Sequence, residues 1–144
     1  MNRIELKALG KINLGLDVLG RRENGYHDVR MVMQTVYLYD QITIKKRRKS
    51  GIGIETNLYY LPVNENNLAY RAAKLLKDEF HIEEGISIHL EKHIPVAAGM
   101  AGGSSNAAAV LFGKMTPEGV WPLSAKKEAP ERTEKELKNS AETR

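Results

Sequence analysis

The chain has 144 residues, of which 42% are hydrophobic and 28% are charged, and its formal net charge is +4. This length suits one modest domain that buries about 68–70% of its unfolded surface, and it is short for two. The chain has no cysteine, which excludes disulfides, thiolate metal sites and cysteine nucleophiles. Its four histidines form no recognisable zinc pattern, so no protein-held metal is predicted. No apolar run approaches the ~18 residues of a membrane span, and a cytoplasmic location is expected.

The first half of the chain is predicted to form strands, because apolar residues alternate or cluster there between turn signals. The predicted strands cover residues 3–8, 12–19, 29–36, 41–45 and 51–56. Gly10 separates the first two, and Asn24-Gly25 is a turn signal. The short loops between strands predict antiparallel pairing.

The period changes from two to 3.6 after residue 66, which predicts a helix over residues 67–80. The apolar residues assigned to one face of this helix are Leu68, Ala72, Leu75, Leu76 and Phe80. Either Asn66 or Asn67 can serve as its N-cap. A strand over residues 86–90 follows, and then a second helix. Several strands before the first helix indicate the α+β class.

A glycine-rich turn leads into the second helix over residues 95–111. Its glycines can take positive φ and the following serines can cap the helix; these residues are Gly99, Gly102, Gly103, Ser104 and Ser105. Unpaired N–H groups at a helix start attract an anion, so the segment predicts phosphate binding. The alternative is a helix entry whose glycines only ease tight packing. A Walker A loop is excluded because no lysine lies between Gly99 and Val110, and the glycine spacing does not match a dinucleotide-binding fingerprint.

Two further groups of residues can bind a substrate. Lys11 and Asn13 lie on one face of a short strand by the period of two, where a lysine can neutralise a phosphate. Tyr26 and His27 follow a turn, where a ring could stack on the tyrosine and bond the imidazole. Taken alone, each pair is also compatible with an ordinary solvent-facing surface.

Residues 1–112 resemble the N-terminal part of the GHMP kinase superfamily. The resemblance rests on Gly10-Lys11-Ile12-Asn13-Leu14, Gly25-Tyr26-His27, Asn66-Asn67-Leu68 and residues 95–108. Within the superfamily, Gly25-Tyr26-His27 is typical of the kinases that phosphorylate a cytidine diphosphate-linked methylerythritol in non-mevalonate isoprenoid biosynthesis. The implied fold is an α+β domain with a mostly antiparallel sheet and helices on one face, similar to a ribosomal protein domain.

The resemblance also implies the partners and the residue roles. The reaction would transfer a phosphoryl group from ATP, accompanied by Mg²⁺, to the 2-hydroxyl of the substrate. Lys11 would be catalytic and Asn13 would bind the substrate beside it, while Tyr26 stacks on the cytosine and His27 bonds it. Asn67 would lie near the adenine. The residues enclosing the ATP phosphates would be Pro95, Val96, Ala97, Ala98, Gly99, Met100, Ala101, Gly102, Gly103, Ser104 and Ser105.

The rest of the chain departs from the family pattern. Family members are about twice as long and carry a catalytic aspartate in a Gly-Ala-Asp context in their second half. The aspartates of this chain are Asp17, Asp28, Asp40 and Asp78, and none has that context. We therefore predict a family domain over residues 1–114, with the C-terminal domain missing and turnover by this chain alone impaired.

Residues 115–144 are predicted to be an unrelated charged tail, because apolar periodicity ends there while Glu, Lys and Arg dominate. Such a tail would be disordered, a solvated helix, or a non-native translation after a frameshift near residue 113. Two other functions stay open: a non-catalytic nucleotide or phosphate binder, and an RNA-binding module that uses the basic run at residues 45–49. The run has no interleaved aromatic residues, and at a strand end it is also typical of a solvated turn that protects a sheet edge.

Overall fold

A computed structural model of the chain describes residues 3–115, with side chains up to residue 113. Its elements are β1 (Arg3–Arg21), β2 (His27–Arg47), β3 (Ile52–Thr56), α1 (Leu68–Glu79), β4 (Gly85–Glu91) and α2 (Gly102–Met115). The predicted tail, residues 115–144, lies outside this range except for residue 115. The frameshift hypothesis concerns the same residues. No helix in the described part of the chain is long and apolar enough to cross a membrane.

The four strands form one mixed sheet in the order β1-β2-β4-β3. β1 pairs antiparallel with β2, and β2 pairs antiparallel with β4. β3 instead pairs parallel with β4, with Ile54 opposite Ile88. The predicted α+β class and mostly antiparallel sheet are confirmed, but antiparallel pairing of residues 51–56 is wrong. The connection from β3 to β4 runs through α1, and a helical crossover of this kind joins parallel strands.

The first two strands are much longer than predicted. Residues 3–8 and 12–19 belong to one strand, and so do residues 29–36 and 41–45. The predicted breaks fall at one shift in the pairing register, after Leu9 in β1 and between Val36 and Tyr39 in β2, and two further shifts follow Asn13 and Val18. Bulges of this kind bend a strand without ending its ladder. The predicted Asn24-Gly25 turn is confirmed, since Gly25 has φ +88° and Asn24 Oδ1 accepts a hydrogen bond from the Tyr26 N–H.

The core lies between one face of the sheet and the two helices. The alternating sheet residues that fill it are Ala8, Ile42, Ile44, Ile54, Ile86, Ile88 and Leu90. From the helices, Ala69, Ala73 and Val110 are fully buried against them. The small residues let the helices approach closely. A Cβ atom added to Gly113 would lie 2.5 Å from Leu6 Cδ1, so the end of the Leu6 side chain would have to shift to admit it.

The predicted cap of α1 is confirmed, but its predicted buried face is rotated. Asn67 Oδ1 accepts a hydrogen bond from the Ala69 N–H at 2.9 Å. Leu68 and Leu75 are 40% and 59% exposed. Ala72 and Leu76 of the predicted face are buried, and Ala69 and Ala73 take the place of the two exposed leucines. Three of these four buried residues are alanines, whose small side chains let α1 pack closely.

Candidate functional site

The loop between β4 and α2 carries three residues in the left-handed backbone region. They are Ala97, Gly99 and Ala101, with φ of +58°, +71° and +57°. For an alanine this conformation costs about 1–2 kcal/mol, and such strain clusters at binding sites. Positive φ was predicted correctly for Gly99 but wrongly for Gly102 and Gly103, which are the first two residues of α2.

The start of α2 presents free backbone donors. Its first intrahelical bond runs from the Ser105 N–H to the Ala101 carbonyl at 2.8 Å. The N–H groups of Gly102, Gly103 and Ser104 therefore precede the helical ladder and carry the positive end of the helix dipole. The predicted serine caps are wrong because Ser104 and Ser105 lie inside the helix. Ser105 Oγ instead donates to the Leu9 carbonyl at 2.7 Å and joins α2 to β1.

The first two glycines of the helix allow close packing. A Cβ atom on Gly102 would lie 3.0 Å from Lys92 Nζ and 3.1 Å from Ile94 Cγ2. On Gly103 it would lie 3.1 Å from Leu68 Cδ1. Both spacings are tighter than ordinary van der Waals contact. The packing explanation thus holds for these two glycines, while Gly99 supplies the turn.

A pocket of about 320 Å³ opens over this loop and helix start. Its volume lies at the lower end of the range for small-molecule sites. Of the predicted cofactor residues, Asn67 and every residue from 95 to 104 line it, whereas Ser105 does not. Lys92, Asn106 and Leu68 complete the wall beside them. The structure therefore brings nearly all of these residues around one cavity.

Asn67 forms the opposite rim of the pocket and is 8% exposed. Its side chain is already bonded, since Oδ1 caps α1 and Nδ2 donates to the Pro62 carbonyl at 3.1 Å. These bonds fix the position of the rim. One N–H of Nδ2 and one lone pair of Oδ1 are left for a ligand.

Lys11 and Asn13 share one face of β1, as predicted, and their side chains meet. Lys11 Nζ donates to Asn13 Oδ1 at 3.3 Å. The Lys11 backbone N–H donates to the Met100 carbonyl at 3.1 Å, which joins β1 directly to the glycine-rich loop. Lys11 and Asn13 do not line the pocket, and the described link of Lys11 to it is the backbone bond to Met100.

Tyr26 and His27 lie at the far tip of the β1–β2 hairpin. Tyr26 is 62% exposed, and His27 pairs with Arg21 at the last rung of the ladder. Lys11 precedes Arg21 by ten residues of strand, which span at most about 33 Å. Two register shifts lie in this stretch and bend it. Neither Tyr26 nor His27 lines the pocket at the glycine-rich loop.

A buried polar group beneath the pocket was missed by the sequence analysis. It consists of Asp40, Lys92 and Asn106, which are 0%, 8% and 2% exposed. Lys92 Nζ donates to Asp40 and to Asn106 Oδ1, and Asn106 Nδ2 donates to Asp40 Oδ2 at 2.8 Å. The other carboxylate oxygen of Asp40 accepts the N–H groups of His93 and Ile94 at 2.7 and 2.8 Å.

Asp40 is held in its ionised form. Burial by itself raises the pKa of its carboxyl group. The hydrogen bonds from Lys92, the Ile94 N–H, Asn106 and the His93 N–H outweigh that effect, so the net pKa lies below the usual value. The carboxylate is therefore a permanent anion at neutral pH, and it balances the charge of Lys92.

The sequence did contain a signal for this group. Asp40 precedes the buried Ile42 and Ile44 by the period of two, and Lys92 follows the buried Ile88 and Leu90 in the same way. Two inward positions of opposite charge on neighbouring strands predict a buried pair. Asn106 lies four residues before the buried Val110 on α2 and so faces the same interior.

No group of three or more His, Cys, Asp or Glu side chains among residues 3–113 could hold a metal ion. The one carboxylate beneath the pocket, that of Asp40, already accepts four hydrogen bonds. The described residues thus provide no cage of protein ligands for a cation.

Comparison with known proteins shows what parts of the chain are similar to. Residues 67–115 match the model of the GHMP kinases N terminal domain. The chain is similar to a crystal structure of 4-(cytidine 5'-diphospho)-2C-methyl-D-erythritol kinase, with a TM-score of 0.67 and 40% identity over 76% of this chain and 38% of that chain. Homoserine kinase from Cytophaga hutchinsonii shares the fold at 18% identity, with a TM-score of 0.58.

Curated relatives agree with this structural match. 4-diphosphocytidyl-2-C-methyl-D-erythritol kinase of Lachnoclostridium phytofermentans is 66% identical over 113 residues, which are 78% of this chain and 39% of that protein. The protein of the same name from Alkaliphilus metalliredigens is 50% identical over 133 residues, or 88% of this chain and 46% of that protein. The chain thus spans less than half the length of these relatives. The predicted domain boundary at residue 114 stays a prediction.

Proposed function

We propose, on the premise that the described residues form a GHMP kinase N-terminal domain, that this chain supplies the ATP loop and part of the acceptor site of a 4-diphosphocytidyl-2-C-methyl-D-erythritol kinase. The reaction is transfer of the terminal phosphoryl group of ATP to the 2-hydroxyl of that substrate in isoprenoid biosynthesis. The observation that carries the proposal is the pocket that combines the strained loop with the free N–H groups of α2.

The ATP phosphates would lie against the N–H groups of Gly102, Gly103 and Ser104. These donors point along the helix axis and bind an anion without moving. Lys92 adds little net charge, because the buried Asp40 carboxylate balances it. Backbone dipoles therefore supply most of the attraction in the described part of the pocket. Phosphoryl transfer depends mainly on positioning and charge stabilisation, which such a rigid cradle provides.

The acceptor hydroxyl would lie at Lys11. This lysine is joined through its backbone to Met100 of the loop and through its side chain to Asn13. Its ammonium group can stabilise negative charge as the hydroxyl attacks, while Asn13 orients both the lysine and the substrate. Among the described aspartates, Asp40 cannot accept the hydroxyl proton, because its oxygens are fully bonded in the interior. We therefore assign no base within the described residues.

Tyr26 and His27 would bind the cytosine of the substrate. The exposed tyrosine ring offers a stacking surface, and the imidazole offers a hydrogen bond. For one substrate to reach both Lys11 and the hairpin tip, the hairpin must curve towards the loop. The register shifts after Asn13 and Val18 supply the points at which it can bend.

Mg²⁺ would enter with ATP. This cation usually keeps several waters and binds through phosphate oxygens with only one or two carboxylates, so it does not require a preformed protein cage. When bound, it would neutralise developing charge on the phosphates. The residues that line the pocket include no carboxylate, and we assign no step to the metal through them.

The first test is nucleotide binding by the purified 144-residue chain. We expect ATP and inorganic triphosphate to bind, and adenosine to bind much more weakly, because the backbone donors recognise phosphate. Isothermal titration calorimetry measures all three ligands under one condition. Equal affinity for ATP and adenosine would contradict the assignment of the loop to phosphate.

The second test is phosphoryl transfer after Lys11→Ala. Residues 1–113 would be joined to the C-terminal part of the Lachnoclostridium phytofermentans relative, whose N-terminal part is 66% identical to this chain. Removal of the ammonium group should lower kcat by about 10²–10⁴-fold and leave ATP affinity nearly unchanged. Lys7→Ala is the matched control, since Lys7 is an exposed lysine on the same strand that bonds Tyr37. A Lys11→Ala protein as active as the control would overturn the role of Lys11.

A non-catalytic nucleotide binder is the second candidate, because the pocket offers backbone donors for phosphate while the described residues supply no base. The two tests separate the candidates. ATP binding by the chain together with transfer by the joined protein supports the kinase. ATP binding without transfer in either protein supports the binder.

A further inference from the structure

The buried group formed by Asp40, Lys92 and Asn106 has no part in the reaction described above, yet it lies directly beneath the phosphate pocket. We propose that Asp40 is a positioning residue for the nucleotide phosphates, because it fixes the backbone donors at the start of α2 through Lys92 and Asn106. The inference rests on the proposed function and deepens it. Asp40 does not touch the ligand and acts only through its neighbours.

The hydrogen-bonding capacity of the Asp40 carboxylate is fully used. It accepts four hydrogen bonds, two on each carboxylate oxygen. Two come from side chains, and two come from the backbone N–H groups of His93 and Ile94, immediately before the loop. One carboxylate therefore holds the entrance of the loop and the first turn of α2 at the same time.

Lys92 and Asn106 transmit the position of Asp40 to the start of α2. Asn106 lies four residues after Gly102 and bonds Asp40 through Nδ2 and Lys92 through Oδ1. Because both ends of its amide are used, the rotation of the first turn about the helix axis is set. Lys92 Nζ lies so close to Gly102 that a Cβ atom there would be 3.0 Å away. A shift of the lysine would therefore displace the residue that carries the first donor.

Lys92 is itself held from outside α2. Its backbone N–H donates to Asn57 Oδ1 at 2.8 Å, and its carbonyl accepts from Asn57 Nδ2 at 3.1 Å. Asn57 follows β3, so the lysine is fixed to the sheet by its backbone and to α2 by its side chain. The start of α2 is thereby tied to three strands of the sheet.

The chemistry of the group favours a role in geometry. A buried ion pair can often be replaced by apolar residues of equal volume without loss of stability. What apolar residues cannot supply is direction, since a hydrogen bond fixes an angle as well as a distance. A cradle whose donors must point at phosphate oxygens benefits from such directional support.

The test compares Asp40→Asn with wild type in the full chain. The asparagine keeps the shape, but its NH₂ group faces donors on Lys92 and Asn106, so the arrangement must change. We expect the ratio of ATP affinity to adenosine affinity to fall about tenfold, comparable to the loss of one hydrogen bond to a charged group. A general loss of folded protein would lower both affinities by one factor and leave the ratio unchanged.

Asp17→Asn is the matched control, because Asp17 lies opposite Arg30 in the hairpin and outside the pocket. It should leave the ratio unchanged. If Asp40→Asn does not fold, Asn106→Ala takes its place, since it removes the link to α2 and leaves the ion pair intact. That variant should also lower the ratio of ATP affinity to adenosine affinity. Its backbone hydrogen exchange should increase more at residues 102–106 than in α1.

The outcomes separate the two proposals. If the wild-type chain binds neither ATP nor triphosphate, the proposed function is wrong and this inference falls with it. If wild type binds ATP and the folded variant, Asp40→Asn or Asn106→Ala, keeps the wild-type ratio, only the inference is wrong. A lower ratio in the variant with an unchanged ratio in Asp17→Asn supports both.

Discussion

The two halves of the β1–β2 hairpin have similar alternating hydrophobic patterns but very different surroundings. In the base, residues 3–10 and 39–47, the alternating side chains enter the core, and Ile42 and Ile44 are fully buried. In the tip, residues 11–38, the alternation continues, yet Leu16 and Val18 are 53% and 63% exposed. The helices cover the base, whereas the described contacts leave the tip open to solvent. Alternation therefore identifies a strand, but only a covering element makes its apolar face a core.

The proposed binding roles are also divided between the base and the tip of the hairpin. The base holds the pocket proposed for phosphate, with the buried polar group beneath it, and the tip carries Tyr26 and His27 on an exposed turn. A rigid cradle suits charge stabilisation, which depends on fixed donors. A hairpin that can bend suits recognition of a base that must be admitted and released.

The largest expected difference in stability between base and tip comes from replacing one aspartate by asparagine in each. Asp40→Asn leaves Lys92 buried without its counter-ion and should lower the free energy of unfolding by about 3–5 kcal/mol. Asp17→Asn in the tip should change it by less than about 0.5 kcal/mol. Chemical denaturation of both variants gives the values. A small effect at Asp40 would mean that water or another group reaches Lys92.

This contrast should also depend on pH. The pKa of Asp40 is lower in the folded chain than its ordinary value of 3.8, so its contribution is fully present above that value. As pH falls through the lowered folded pKa, the carboxyl group takes up a proton and the contribution is lost. The difference between wild type and Asp40→Asn should thus be constant from pH 5 to 7, on the order of the values above, and shrink only in stronger acid. A difference that already shrinks near pH 6 would contradict the assignment.

An apolar truncation should give the next largest contrast. Ile88→Ala in the core should cost about 2–5 kcal/mol, because it removes fully buried methyl groups and leaves a cavity. Leu16→Ala in the tip should cost less than about 0.5 kcal/mol, since its side chain is already half in water. Equal losses at the two positions would show that another surface covers the tip in solution.

The smallest predicted effect concerns the rim of the pocket. Asn67→Ala removes the N-cap of α1 and should lower the free energy of unfolding by about 0.5–2 kcal/mol. Asn66→Ala is the matched control, because Asn66 is the alternative cap that the structure does not use. Thermal unfolding of the two variants checks this ranking, and a larger loss at Asn66 would reverse it.

Local features of this domain could be predicted from local sequence. The strands, the cap at Asn67, the Asn24-Gly25 turn and the positive φ at Gly99 each depend on a few neighbouring residues. The pairing of Lys11 with Asn13 follows from the period of two. The left-handed conformations of Ala97 and Ala101 could not be predicted in this way, because alanine does not favour them and the surrounding structure imposes them.

In the candidate site, too, only local features could be predicted from the sequence. The glycine-rich loop was predicted from its composition, but the three donors at residues 102–104 became evident only when the helix start was located. The parallel pairing of β3 and the rotation of α1 were missed, because both depend on how elements pack against one another. Asp40 and Lys92 were missed because they lie 52 residues apart in the chain.

The sequence by itself determined the class of the domain, the positions of its strands and helices, and the family to which its motifs point. It could do so because backbone preferences and side-chain period act over a few residues. The tertiary structure alone decided which apolar faces are buried, how the strands are ordered, and which charge lies beneath the pocket. Those outcomes depend on contacts between distant residues, whose energies no local pattern contains.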